Sequence, residues 1–317
     1  MEKDRISIVI PTKNRIEDLK RCLNSIVNQL EEGDEIIIVD GGEVSKTKRM
    51  LDNYSHNQIK LIYDPISNIP HALNLGIESS NNDIIGFVND DIEFSDEWVR
   101  NVKYWFNKLP EARSLGGPTH DMNSRKIESI LKKHNKISKL YDILVMGGAL
   151  NSTAIITEWG SFSIGDDEPL IPLKVSGFSG ANMVFLKPYL REIGCFNTIF
   201  KYACFEGYSY INLLQRKSSV YLVPGCSVRH YPNPEGETRN PFYLAQDYAI
   251  FFRMIKPSSI IGKLRKILNE ISFLIFWIFI TKGNLSKMSI FISGYVSGIK
   301  LYKKIIKITL FPKSLIN

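Results

Sequence analysis

Cysteine is sparse in this chain, and none of it is arranged as a cross-link or a metal cage. Cys22, Cys195, Cys204 and Cys226 are scattered over 317 residues without a C-x-x-C pair, so neither a disulfide framework nor a zinc ligand set underlies the fold. A reducing compartment is the simpler setting. No signal peptide is visible, because Glu2, Lys3, Asp4 and Arg5 lead directly into a short strand-like run, and a cytoplasmic body is expected. No G-x-G-x-x-G follows a strand signal, which argues against a dinucleotide-dependent oxidoreductase. Internal repeats and low-complexity tracts are also lacking. The densest apolar run, residues 271–280, is broken only by Ser272. It falls short of the roughly 20 apolar residues that a spanning helix needs.

Acid is the scarcest component of the C-terminal stretch. Residues 256–317 hold eleven lysines and arginines against one acid, Glu270, a net +10 in a chain whose formal total is +7. A basic protein raises nucleic acid as a partner. Here the charge sits on an unusually apolar tail, which points to an anionic membrane surface and not to nucleic acid. Within the tail, Phe291, Ile292, Tyr295, Ile299, Tyr302 and Ile306 recur at helical spacing, with Lys300, Lys304 and Lys307 on other faces. That pattern predicts an amphipathic helix bound peripherally to the cytoplasmic face of a membrane. The competing reading packs the helix on the domain and leaves its lysines in water.

What is present in the rest of the chain alternates strand and helix signals. Residues 7–10 form an apolar run ended by Pro11. A helical face follows at Ile16, Leu19, Leu23, Ile26 and Val27. Residues 35–39 read as a buried strand with no polar side, stopped by Asp40-Gly41-Gly42. Residues 60–63 and 84–88 predict two further strands. A helix begins near Pro70, and another runs through Trp98, Val102 and Phe106 with Ser95 as its expected cap. This is an α/β pattern, a mostly parallel sheet covered by helices. Ligands of such sheets sit at the carboxyl ends of the strands, where Pro11-Thr12, Asp40-Gly41 and Asn89-Asp90-Asp91 all fall. Beyond a polar, lysine-rich stretch at 120–140, strands are expected at 183–186 and 220–223 and a helix at 243–254.

Asn89-Asp90-Asp91 is the sharpest local feature. Adjacent carboxylates at the end of a buried strand repel each other unless a cation lies nearby. A divalent metal shared with phosphate oxygens would supply one; the plainer alternative is a solvated acidic turn. Asp40 could accept from a base or a ribose hydroxyl, and Thr12, Lys13, Asn14 and Arg15 present polar and cationic groups to the same crevice.

Taken in order, Ser7-Ile8-Val9-Ile10-Pro11-Thr12-Lys13-Asn14-Arg15, residues 35–41, Ala72-Leu73-Asn74-Leu75-Gly76-Ile77 and residues 83–91 resemble the inverting glycosyltransferase family 2, which has the GT-A fold. The resemblance implies that Pro11, Thr12, Asn14, Arg15, Asp40 and Asp90 bind the nucleotide of a nucleoside diphosphate sugar. It implies that Asp91 holds Mg²⁺ or Mn²⁺ on the donor diphosphate, with His230, at the end of Val228-Arg229-His230, reaching the same metal. Gly177, Gly180, Ala181 and Asn182 look like the family's acceptor-side loop. Glu206, in Phe205-Glu206-Gly207-Tyr208, stands where the family carries its catalytic base. Three departures are plain: Asn89 opens the carboxylate triplet in place of Asp, Leu73 replaces a frequent arginine, and Gly207 replaces the usual second acid. Trp159, Phe178 and Tyr208 could stack on a sugar, although aromatics in such number more often build core.

The implied organisation is a donor-binding half at 1–118, an acceptor-binding and catalytic half at 119–255, and a basic helical tail at 256–317. The implied activity is metal-dependent inverting transfer of a sugar to an acceptor hydroxyl, on a lipid-linked or cell-surface glycan precursor. Two rivals remain. A sugar-1-phosphate nucleotidyltransferase would want a glycine-rich, arginine-bearing loop after the first strand, which Pro11-Thr12-Lys13-Asn14 is not. A non-catalytic nucleotide-sugar or glycan-binding protein on the same fold is kept open by Asn89 and Gly207.

Overall fold

The structure, a computed structural model, describes residues 4–54, 58–122, 139, 142–147, 155–163, 167–232, 240–280 and 284–310. The chain begins with β1 (Ile6–Thr12), α1 (Ile16–Ile26), β2 (Glu35–Asp40), α2 (Val44–Leu51), β3 (Ile59–Tyr63), α3 (Ile69–Ser79) and β4 (Ile84–Val88). A short β5 (Ile92–Phe94) precedes α4 (Trp98–Lys108), β6 (Ala112–Gly116) and β7 (Thr119–Asp121). Two-residue strands β8 (Ile155–Ile156) and β9 (Phe162–Ser163) lead to β10 (Leu173–Val175), β11 (Asn182–Leu186), α5 (Lys187–Glu192), α6 (Phe205–Gln215), β12 (Ser219–Leu222) and β13 (Val228–His230). The chain then continues through helices α7 (Pro241–Met254), α8 (Ile260–Ile280) and α9 (Leu285–Leu310). Most of the polar stretch expected at 120–140 lies outside the described residues.

Eight strands form one sheet in the order β10-β12-β6-β11-β4-β1-β2-β3. The β3-β2-β1-β4 pairings are parallel, as is β12 with β6, while β11 runs antiparallel to both β4 and β6. Period-two alternation explains why β1, β2 and β4 have no polar face. Ile8, Ile10, Ile36, Ile38 and Ile84 point to one side, under Leu19 and Leu23 of α1 and Trp98, Val102 and Phe106 of α4. Val9, Ile37, Val39, Ile85 and Phe87 point to the other, against Leu73 and Ile77 of α3 and against Phe205 and Tyr210 of α6. A strand covered on both faces must be apolar throughout, and this is the feature that made 35–39 and 84–88 readable. Trp98 is fully buried and gives its indole N–H to the Cys226 carbonyl at 3.1 Å. Removing such a side chain from a packed core costs about 3–5 kcal/mol.

Two helix starts differ from what local chemistry suggested. Helix α4 begins after Glu97 in a left-handed conformation, while the Ser95 hydroxyl bonds to the Gly225 carbonyl. A tertiary partner therefore claims the group expected as a cap. Asn68 caps α3 by accepting from the His71 amide at 2.9 Å, with Pro70 in the first turn.

A small second sheet, β5-β13-β7, sits at the carboxyl end of the main one. Its register sets His230 opposite Ile92 and Arg229 opposite Glu93, and the Tyr231 amide bonds to the Asp91 carbonyl at 2.8 Å. This is the device that carries residue 230 back to the acidic turn.

The tail folds onto the body. Gly294 and Gly298 of α9 lie against α7 so closely that a Cβ would fall 2.1 Å from the Phe242 carbonyl oxygen and 2.5 Å from that of Gln246. Phe291 is buried, stacked under Trp277 at 4.7 Å and beside Phe273 at 5.6 Å. Tyr295 bonds to Glu270, which also pairs with Arg253 at 2.8 Å. Of the stripe of the sequence pattern, Phe291 and Tyr295 are thus turned toward the protein, where small residues at 294 and 298 admit α7, while Ile292 stays 56% exposed. Residues 271–280 belong to a 21-residue helix. Among the described residues, no helix is long and apolar enough to cross a membrane.

Candidate active site

A cleft of about 390 Å³ opens at the carboxyl ends of β1, β2, β3 and β4. Pro11, Thr12, Asn14, Arg15, Asp90, Asp91 and His230 all line it, together with Gly41, Asp64, Asn68 and Tyr202. Seven of the residues singled out from the sequence are therefore brought into one concavity.

The acidic turn carries its own counter-ion. Arg15 Nη1 donates to Asp90 Oδ1 and Nη2 to Asp91 Oδ2, each at 2.8 Å. Thr12 Oγ1 donates to the second Asp90 oxygen at 2.7 Å. Burial pushes the Asp90 carboxyl up to about 7, against the pull of Arg15 and Thr12. Burial also opposes ionisation of Asp91, but His230 and Arg15 outweigh it and hold that carboxyl below its ordinary value. His230 Nε2 stands 3.1 Å from Asp91 Oδ1. The contact is an ion pair, and among the described residues this buried oxygen accepts no hydrogen bond.

That oxygen tests whether a divalent cation fits. A carboxylate oxygen with an open coordination position beside an imidazole nitrogen is a donor set suited to Mg²⁺ or Mn²⁺. Among the described residues there is no group of three or more His, Cys, Asp or Glu side chains able to hold a metal. An ion at Asp91 and His230 would complete its shell with oxygens from outside the protein, as diphosphate and water do.

Asp40 lies beneath the cleft, not on its wall. It is fully buried, accepting from the Gly42 amide at 2.7 Å and the Thr47 hydroxyl at 2.6 Å. It shapes the turn that presents Gly41. Asn14 sits in the left-handed region (φ 56°) and accepts from the Glu43 amide at 2.9 Å, tying the loops after β1 and β2 together.

Glu206, in the first turn of α6, does not line this cleft; it sits beyond Tyr202, facing the turn at Gly180. Its Oε1 lies 3.5 Å from where a Cβ on Gly180 would stand, and its Oε2 is buried without a hydrogen-bond partner. Burial raises this carboxyl to about 7, with the charge of Asp247 adding to the effect. Of the remaining loop residues, Ala181 and Asn182 are buried. The Asn182 amide donates to the Gly117 and Cys226 carbonyls. The need for glycine at 177 is met by core packing, since a Cβ there would come within 2.8 Å of the Tyr210 ring. The three candidate stacking aromatics are packed: Phe178 edge-on to Tyr210, Tyr208 against Phe200, and Trp159 under the Arg265 guanidinium.

Sequence reasoning missed Asp64, Asn68, Tyr202 and Asp247. Asp64 follows β3 as Asp40 ends β2, so a strand-end acid was the available signal; it accepts from His71 Nδ1 at 2.9 Å. Asp247 of α7 is fully buried and accepts from the amides of Lys201, Tyr202 and Ala203 at 2.7–2.9 Å. It thereby holds the turn that leads from Tyr202 in the cleft to Glu206.

Comparison with known proteins follows the same lines. The model of "Glycosyl transferase family 2" matches residues 7–194, more than half of the chain. The glycosyltransferase AglE of Haloferax volcanii is 30% identical over 99 residues, which is 30% of this chain and 33% of that protein. The glycosyltransferase GlyA of Streptococcus pneumoniae is 23% identical over 171 residues, 50% of this chain and 24% of that one. The chain thus spans a third or less of the length of these curated relatives. Among solved structures, S. aureus TarS 1-349 in complex with UDP-GlcNAc superposes with a TM-score of 0.61 at 11% identity, over 94% of this chain and 81% of that one. The Pyrobaculum calidifontis mannosyltransferase in complex with GDP-Man and Mn²⁺ gives 0.57 at 13% identity, over 97% and 81%. At such identities the likeness is one of fold.

Proposed function

The chain belongs to glycosyl transferase family 2, and from that premise we propose that it moves a hexosyl group from a nucleoside diphosphate sugar to an acceptor hydroxyl, inverting the anomeric carbon. The observation that carries this reading is the cleft in which the Asp90–Asp91 turn, Arg15 and His230 meet, with one Asp91 oxygen buried and unsatisfied. Loops after β1, β2 and β3 receive the nucleoside. Asp91 and His230 hold Mg²⁺ or Mn²⁺, which when bound supplies positive charge to the diphosphate. Two solved structures of similar fold are complexes with nucleotide sugars, one of them with Mn²⁺, which supports a nucleotide sugar as donor.

The protein's own part in the transfer is positioning and proton removal. Glu206, whose Oε1 lies by the Gly180 turn and whose Oε2 has no hydrogen-bond partner, accepts the proton of the acceptor hydroxyl as the hydroxyl oxygen attacks the anomeric carbon. The new bond forms from acceptor oxygen to carbon while the bond to the phosphate oxygen breaks, and its electron pair leaves with the nucleoside diphosphate. A single displacement from the opposite face inverts the configuration. A buried carboxylate with one oxygen left without a hydrogen-bond partner has little use in a protein that only binds sugar, and this favours a transferase over a binding protein. The acceptor is a lipid-linked or cell-surface glycan precursor met at the cytoplasmic face of a membrane. Anomeric-proton NMR of the product tests the mechanism: configuration opposite to that of the donor is expected, and retention would overturn it.

A further inference from the structure

Helix α8 exposes a stripe that the other described residues do not cover. Ile260, Leu264, Ile267, Leu268, Ile271 and Ile275 are each between 37% and 76% exposed. At 3.6 residues per turn they fall within an arc of about 100°. The opposite side of the helix is occupied: Phe273 stacks on Tyr248 at 3.9 Å, Trp277 stacks on Phe291, and Glu270 is held by Arg253. The stripe therefore belongs to a docked, ordered helix and not to a frayed end. Exposed Ile143 and Leu144, on the turn Asp142–Met146, extend it, and Arg265 Nη2 reaches the Ile143 carbonyl.

Charge around the stripe is mostly basic, with Glu158, bonded to Ser258, and Asp142 as the acids near its N-terminal end. Lys263 and Arg265 flank it on either side at its N-terminal end. The antiparallel pairing of Glu270 with Tyr295 and of Trp277 with Phe291 brings exposed Lys300, Lys303 and Lys304 of α9 to that same end. The single acid of the segment, Glu270, is consumed by Arg253 and Tyr295. Aliphatic side chains bounded by an excess of lysine and arginine complement a surface that is apolar below and anionic above. A second copy of the chain is the poorer fit, because α8 itself offers a partner no free acid: its one acid, Glu270, is already paired with Arg253 and Tyr295.

We propose that α8 is the membrane-contacting element of this protein, lying in the plane of an anionic bilayer with its isoleucine-leucine stripe in the lipid boundary and its basic end at the headgroup phosphates. This centres the contact on α8, since Phe291 and Tyr295 of the α9 stripe face the protein. The four charged residues of α8 (Lys263, Arg265, Lys266 and Glu270) are compatible with lying on a bilayer and not with crossing it. The assignment rests on the transferase reading only for its purpose, the capture of a lipid-linked acceptor; the surface stands on its own observations.

Flotation of the full chain with vesicles of phosphatidylcholine and phosphatidylglycerol in equal parts, against phosphatidylcholine alone, tests it. The protein is expected to float with the mixed vesicles and to be released by high salt. The double variant Ile267→Glu, Ile271→Glu is expected to lose binding by at least about tenfold. Both positions are solvent-exposed, so its thermal unfolding and its stabilisation by nucleoside diphosphate with Mn²⁺ should match the parent. Failure of the parent to float, or equal flotation of the double variant, would overturn the assignment. So would a parent dimer that ignores vesicles and that the double variant dissociates. Because nucleotide stabilisation is read separately, loss of the transferase reading would leave this result interpretable.

Discussion

Arg15 and Asp91 meet at 2.8 Å, Nη2 to Oδ2, while the other oxygen of the same carboxylate is left to His230 at 3.1 Å. The repulsion between Asp90 and Asp91 that the sequence predicts is thus answered from within the chain, by one guanidinium spanning both acids. A cation brought by a ligand adds to this arrangement at the free oxygen; it is not needed to make the turn fold.

Arg15→Ala removes that guanidinium and leaves two nearly buried carboxylates facing each other. A loss of about 2–4 kcal/mol of folding stability is expected, because one partner of a mostly buried ion pair is gone. Mn²⁺ alone should then raise the melting temperature of the variant more than that of the parent. Calorimetry with and without Mn²⁺ reads both effects, and an equal metal response in the two proteins would contradict the counter-ion role.

Glu206→Gln is expected to lower the transfer rate by about 10²–10⁴-fold with donor binding preserved. In the parent, the rate should climb with pH through about 7 as the buried carboxyl loses its proton. The same group affects stability. Folded Glu206 keeps its proton to about pH 7, whereas the unfolded chain releases it near the ordinary 4.5. Between those values the folded state binds more protons, so its contribution is full at low pH and is lost as pH rises toward 7. Gln does not titrate. Urea melts across this window should therefore show the variant gaining on the parent, to about 1–3 kcal/mol above pH 7; a constant difference would contradict the burial of the charge.

Asp247→Asn puts an amide where three backbone N–H groups now find acceptors. At least one donor then faces another donor, which costs about 2–4 kcal/mol in a buried site. Because those amides belong to the turn before Glu206, turnover should fall more than donor affinity. A matched fall in both would show that the turn serves the nucleotide and not the base.

Gly294→Leu drives a side chain into the Phe242 carbonyl, a backbone atom that cannot rotate away. Helix α9 should loosen from α7, at a cost of about 1–3 kcal/mol or more. Limited proteolysis should cut the tail faster than in the parent, while nucleotide stabilisation persists.

How far the fold was legible follows from range. Residues 35–39 and 84–88 announced themselves because a strand buried on both faces must be apolar at every position, and the acids that follow them fell at strand ends by the logic of parallel sheets. Asp91 and His230 are 139 positions apart and meet only through the pairing of β13 with β5; family likeness suggested that meeting, and no local pattern did. Asp247 sits between Gln246 and Tyr248 on a helix where a polar residue reads as solvent-facing, yet it is the anchor of a turn 44–46 positions away. Ser95 lost its capping role to a carbonyl 130 positions distant. The packing of the tail was out of reach for a related reason. Periodicity located an apolar stripe on α9 but not that Phe291 stacks under Trp277, and Gly294 and Gly298, which admit α7, carry no such signal by themselves.

The most direct test of metal-assisted nucleotide-sugar binding at Asp91 is thermal unfolding with UDP, GDP, dTDP and ADP, each with and without Mn²⁺, on the parent and on Asp91→Ala. Stabilisation by one nucleotide, dependent on Mn²⁺ and absent in the variant, is the predicted result. A nucleotide response that persists in Asp91→Ala, or no response to any of the four, would contradict it.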